Sequence, residues 1–85
     1  MTEKNTFYVY VLKSINHKRL YTGYTENLEN RIKNHNAGRV KSSKAYCPYE
    51  LVHKECYNSR TEARKRELFL KSGQGRKFLN IILAR

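Results

Sequence analysis

Aspartate and tryptophan are missing from these 85 residues, proline and methionine occur once each, and there are two cysteines and four glycines. Cys47 and Cys56 form no Cys-x-x-Cys pair, which excludes a zinc ribbon or disulfide framework and leaves two ordinary reduced thiols. The longest apolar runs, FYVYVL and LNIILA, are far too short to span a bilayer. The opening MTEKNT lacks the charged-then-apolar plan of a signal peptide, so a cytoplasmic protein is expected. No segment combines a large apolar helical face with a mainly basic one, which argues against a membrane surface as partner. Repeats, low-complexity tracts and linkers are also absent. A chain this short has material for one core, so a single domain over 1–85 follows.

The absence of aspartate tips the charge. Eighteen Lys and Arg face seven Glu, giving a formal net charge of +11 and a pI near 10.0. Such an excess is the footprint of a protein that meets a polyanion, most often nucleic acid; the plainer explanation is a basic surface kept for solubility.

What is present alternates in strand fashion at the start. FYVYVLKS places Phe7, Val9 and Val11 on one face and Tyr8, Tyr10 and Leu12 on the other, a strand buried on both sides. A turn at Asn16 and His17 leads into RLYTGY, and a two-residue turn there sets Leu12 opposite Tyr21 and Tyr10 opposite Gly23. Glycine leaves room for a ring or ligand against the sheet. Thr25 or Asn27 can cap the next helix, which Gly38 ends. RVKSSKAYCPY is a long basic loop, hence either functional or disordered. YELVHKECY reads as a third strand, Ser59 and Glu62 as a capping box for SRTEARKRELFLKSG ending at Gly73, and QGRKFLNIILA as a last helix packed by Phe78, Leu79 and Ile82. The expected fold class is α/β of the α+β kind, a central three-stranded, mainly antiparallel sheet flanked by helices in the order β-β-α-β-α-α.

Several polar groups sit where apolar ones belong. Leu28, Ile32 and His35 share a helical stripe with Arg31 at its edge, and Ala63, Glu67 and Leu70 share another. An inward carboxylate needs a partner, for which a salt bridge to Arg31 is the structural explanation. Tyr10, Tyr21, Arg31, His35 and Glu67 converging on one small basic domain suggest a site. Glu can hold a divalent cation, Arg can neutralise a phosphate, and Tyr or His can move a proton. Together they suit metal-assisted phosphodiester hydrolysis on a polyanion.

At these residues the sequence resembles the GIY-YIG nuclease superfamily, in particular its small stand-alone bacterial members. YVY at Tyr8 to Tyr10 stands at the first motif and YTG at Tyr21 to Gly23 at the second, with Arg31, His35 and Glu67 at the positions of the family's arginine, histidine and glutamate. The similarity runs from about Phe7 to Leu79. Tyr8 and Val9 replace the glycine and isoleucine of the first motif, and Thr22 the isoleucine of the second. The resemblance implies a layered fold around a three-stranded antiparallel sheet and a DNA endonuclease with one divalent metal, Mg2+ or Mn2+, serving repair or recombination. It gives Glu67 the metal, Tyr10 a part in activating the attacking water, Arg31 the pentavalent phosphate, and Tyr21 and His35 positioning roles. Asn80 is the nearest match to an asparagine that larger members carry.

Arg39, Lys41 and Lys44 in the long loop, and Arg76 and Lys77 after GQG, are candidates to track phosphates; each is equally explained as a solvated side chain. His17 and His53 lack partners at ligand spacing, and Tyr24, Tyr46, Tyr49 and Tyr57 either stack on bases or cover the core. DNA is the expected partner, with a targeting protein conceivable. A nucleic-acid-binding module without catalysis and a ribonucleoprotein subunit are the alternatives.

Overall fold

The computed structural model describes residues 6–84, so the opening MTEKN lies outside the described residues. Its elements are β1 (Phe7–Ser14), β2 (Leu20–Thr25), α1 (Leu28–Asn36), a 3-10 turn (Lys44–Tyr46), β3 (Tyr49–Tyr57), α2 (Arg60–Lys71) and α3 (Gly73–Leu83). The sheet is antiparallel in the order β2-β1-β3, which is the expected fold class. No helix among the described residues is long and apolar enough to cross a membrane.

The two-sided apolar pattern of β1 puts it at the centre. Its Phe7, Val9 and Val11 pack with Ala63 and Leu70 of α2 and Leu79 of α3. Tyr10 and Leu12 face the other way, with Tyr49 and with Leu28 and Ile32 of α1. Each fully buried Val or Leu contributes roughly 1.5–3 kcal/mol. One strand therefore serves two cores, and the site grows from the second.

The hairpin has the register expected from the sequence, with Tyr10 opposite Gly23 and Leu12 opposite Tyr21. Its connection is longer than a two-residue turn. The Ser14 N–H donates to the Arg19 carbonyl, Ile15 to Lys18 form the loop, and β2 begins at Leu20 rather than Arg19. On the other side of β1 the pairing slips by one residue, so that Val11 faces His53 and Leu12 faces Leu51, with Val52 bulged between.

Asn27, not Thr25, caps α1 by accepting the Asn30 N–H, while Thr25 Oγ1 receives the Asn27 N–H. At the other end Gly38 has φ +75°, and the N–H groups of Gly38 and Arg39 reach back to His35 and Asn34, which closes the last carbonyls. The basic loop that follows is ordered: Ser43 and Lys44 both donate to the Val40 carbonyl ahead of the 3-10 turn.

The second long helix stops at Lys71, two residues before the expected Gly73. Ser72 ends it, donating through N–H and hydroxyl to the Phe69 carbonyl, and starts α3 by accepting the Gly75 N–H. Gly75 is buried because α3 leaves tight against α2: a Cβ there would lie 1.9 Å from the Phe69 carbonyl oxygen. Close helix contact thus explains the GQG segment without a bound anion. Gly75→Ala is expected to lower stability by about 2–3 kcal/mol, whereas a Cβ at Gly73 meets nothing within 4 Å and Gly73→Ala should be near neutral. Urea unfolding of both variants checks this contrast; equal midpoints would remove the steric argument.

A polar lock ties β3 to α2. Glu55 accepts from Arg66 through Nε at 2.8 Å and Nη2 at 3.1 Å, pairs with His53 Nε2 at 2.8 Å and accepts from the Tyr57 hydroxyl at 2.6 Å. Burial alone would raise the Glu55 pKa, but these hydrogen bonds outweigh it and bring it down to about 2. The Arg66 guanidinium also covers the rings of Phe69 and Phe78. His53 and Tyr57 are accounted for as structural partners.

Candidate active site

Gly23 decides where the site opens. A Cβ at this position would stand 2.6 Å from the Tyr10 hydroxyl and 2.8 Å from Cζ, so the Tyr10 ring lies across the bare backbone of β2. From there its hydroxyl meets two residues of α1. Arg31 donates Nε–H to it at 3.2 Å, and His35 Nε2 lies 2.9 Å away. The other nitrogen of His35, Nδ1, is 2.6 Å from Ser43 Oγ.

These bonds explain a cation and an imidazole on the inner stripe of α1. His35 and Tyr10 are both completely buried, at 0% exposure, and Arg31 is half-buried. Tyr21 encloses the group: its ring is 4.6 Å from that of His35, edge-on, and 6.4 Å from that of Tyr10, stacked. Its hydroxyl lies 3.3 Å from Ser42 Oγ, and the residue is only half-buried. Four of the five expected catalytic residues are thus in one packed cluster.

Burial and the nearby Arg31 charge lower the His35 pKa to about 4, so the ring is neutral near pH 7. Burial raises the Tyr10 pKa, partly offset by the Arg31 hydrogen bond and charge, while Tyr21 and Glu67 push it up further. The Arg31 pKa is raised, first by its hydrogen bond to Tyr10. The resting state is therefore a neutral phenol between a permanent cation and a neutral imidazole.

Glu67 enters from α2 with its side chain 14% exposed, on the face that buries Ala63 and Leu70 as the periodicity implies. Its ion pair is not with Arg31. Lys71, one turn on, donates to Oε2 at 3.1 Å and leaves Oε1 without a hydrogen bond among the described residues. No group of three or more His, Cys, Asp or Glu that could cage an ion occurs among the described residues. The donor set fits a cation that takes one protein oxygen and completes its shell with water and substrate phosphate, the habit of Mg2+.

The outlying cations are dispersed. Arg39 is exposed and donates to the Asn34 side chain at 3.3 Å, and Lys41 and Lys44 are exposed on the same loop. Arg76 and Lys77 are exposed on the first turn of α3. With Lys18, Arg19 and Asn80, Arg76 lines a hollow of ≈ 390 Å³ that shares no residue with the tyrosine–histidine cluster. Arg31 borders a different hollow of ≈ 300 Å³, beside Tyr24 and Arg60.

Two contributors are invisible in local sequence pattern. Ser43 is one. Asn36 is the other: its side chain donates to the Tyr49 carbonyl and accepts the Tyr49 N–H at 2.6 Å, tying α1 to the start of β3. Both act through folding of the loop between them, which periodicity does not report.

The chain is similar to known proteins over most of its length. The model of the GIY-YIG catalytic domain matches residues 6–80. A UPF0213 protein of Staphylococcus haemolyticus is 42% identical over 76 residues, covering 88% of this chain and 92% of that one. A UPF0213 protein of Haloquadratum walsbyi is 42% identical over 66 residues, 76% of this chain and 73% of its own. The solution NMR structure of a UPF0213 protein of Bacillus halodurans superposes with a TM-score of 0.55 at 31% identity, over 91% of this chain and 84% of that chain.

Proposed function

This chain belongs to the GIY-YIG catalytic domain family, and from that premise we propose that it is a metal-dependent DNA endonuclease hydrolysing phosphodiester bonds, with repair or recombination as its setting. The observation that carries the reading is the Arg31–Tyr10–His35 hydrogen-bonded chain between α1 and β1, with Tyr10 and His35 completely buried.

The roles follow from access and charge. Arg31 spends Nε on Tyr10, and its terminal nitrogens are the groups that would take a phosphate. Held on one side, the guanidinium stabilises the charge that develops on the pentavalent phosphorus. Tyr10 has no exposed surface, so the task of meeting the attacking water falls to Tyr21, the phenol that solvent reaches. Tyr10 and His35 then fix Arg31 and Tyr21 in place. A divalent cation, when bound at Glu67, supplies charge neutralisation on the substrate phosphate. The +11 net charge favours the approach of DNA without reading its sequence.

The test is nicking of supercoiled plasmid, and of labelled single-stranded and branched DNA, with Mg2+ or Mn2+ against a chelator. Cutting only with metal is the expected result. DNA retained but uncut on every substrate and with either metal would instead favour a binding module on this fold.

A further inference from the structure

We infer that Ser43 is a positioning residue: its hydroxyl fixes the tautomer of His35, with the proton on Nδ1 and Nε2 left bare to accept the Tyr10 hydroxyl. Any effect on rate rests on the nuclease reading, but the tautomer is a property of the free protein.

The assignment comes from counting hydrogens along one chain of contacts. Arg31 Nε always carries its hydrogen, so at 3.2 Å it donates to the Tyr10 oxygen. Tyr10 must then place its own hydrogen, and the acceptor within reach is His35 Nε2 at 2.9 Å. Nε2 must therefore be bare. A neutral ring then carries its proton on Nδ1, which donates to Ser43 Oγ at 2.6 Å. The Ser43 hydrogen in turn goes to the Val40 carbonyl at 3.4 Å. With this polarity each hydrogen has an acceptor, consistent with the absence of unpartnered buried side-chain polar atoms among the described residues.

The reverse polarity fails at Tyr10. Two N–H groups would then point at one phenol oxygen, whose own hydrogen would have no recorded acceptor, and a buried orphan donor is costly. Ser43 is well held to enforce the choice. It is 1% exposed, its N–H donates to the Val40 carbonyl at 3.0 Å, and its own carbonyl accepts the Tyr49 hydroxyl at 2.8 Å. The hydroxyl position is thus set by the loop and by β3, not by the imidazole. The long basic loop delivers the acceptor for the Nδ1 proton and so holds, from the far side of the ring, the tautomer that the Arg31–Tyr10 pair requires.

Long-range proton–nitrogen correlation on uniformly nitrogen-15-labelled protein at pH 7 reads the tautomer directly. Wild type should show His35 protonated at Nδ1 and bare at Nε2. Ser43→Ala should move a large fraction of the ring to the Nε2–H form, and Ser43→Thr, which keeps the hydroxyl, should restore the first pattern. In cleavage, Ser43→Ala should lower kcat by about tenfold or more, with KM and DNA retention in chelator unchanged, and Ser43→Thr should recover it. A wild-type ring protonated at Nε2, or a Ser43→Ala ring that keeps the wild-type tautomer, overturns the assignment. Should Ser43→Ala fail to fold, Ser43→Gly, which also removes the hydroxyl, is read in its place by the same spectrum. The expected tautomers in a protein that cuts nothing would uphold Ser43 and sink the nuclease reading instead.

Discussion

Glu67→Gln is expected to reduce metal-dependent nicking by about 10³-fold or more, the loss that several kcal/mol of metal-borne stabilisation implies, while the fold and DNA retention survive. Glutamine keeps the volume of the side chain, so the face of α2 that buries Ala63 and Leu70 is unchanged. The substitution gives up one charge and the pair with Lys71, a partly exposed i,i+4 contact worth a few tenths of a kcal/mol. A large loss of rate with an unmoved melting temperature therefore isolates the carboxylate's chemistry from its packing. The measurement is nicking rate at saturating Mg2+ beside a thermal melt of the same preparations. Wild-type cutting by the variant would show that Glu67 holds no catalytic cation, and the site assignment would fall with it. A gain of DNA retention is also expected, since one negative charge leaves a surface that must meet phosphate.

Much of this architecture was legible because two simple periods carry it. The alternation of Phe7 to Leu12 gave a doubly buried central strand, and the Tyr10–Gly23 register follows from where the chain reverses. The inward His35 and Glu67 were legible as violations of a helical stripe, since a polar group on an apolar face is informative whatever holds it. The partners of those groups were not. Arg31, on another helix, was the expected partner of Glu67, whereas the structure pairs it with Lys71 one turn along α2. Ser43, Asn36 and the Glu55–Arg66 pair were unreadable for a related reason: each joins two elements at a separation that no local spacing encodes. The complete burial of Tyr10 likewise depends on how deeply α1 covers β1.

Acid should weaken this protein over two adjoining pH windows, one for each buried polar cluster. His35 has a folded pKa of about 4 against an ordinary value of 6.5, so the unfolded chain binds its proton more tightly. Its contribution is fully present above pH 6.5 and is lost as pH falls from there through about 4, a span worth about 3 kcal/mol. Glu55 has a folded pKa of about 2 against 4.5. Its contribution is present above pH 4.5 and is lost on falling through about 2, a further span of about 3 kcal/mol. The first step protonates the ring that the Tyr10 hydroxyl needs bare, and the second releases Arg66 and hence α2 from β3. Urea unfolding at intervals between pH 7 and pH 2 reads both. His35→Gln should flatten the slope between pH 6.5 and 4 and leave the lower one, and Glu55→Gln should do the reverse, each from a lower starting stability. If either variant keeps the full wild-type slope in its own window, that residue is not the group that titrates there. Because the folded ring itself titrates near pH 4, cleavage should hold through most of the upper window and fade as pH approaches about 4, which ties the acid limit of activity to the same imidazole that orients Tyr10.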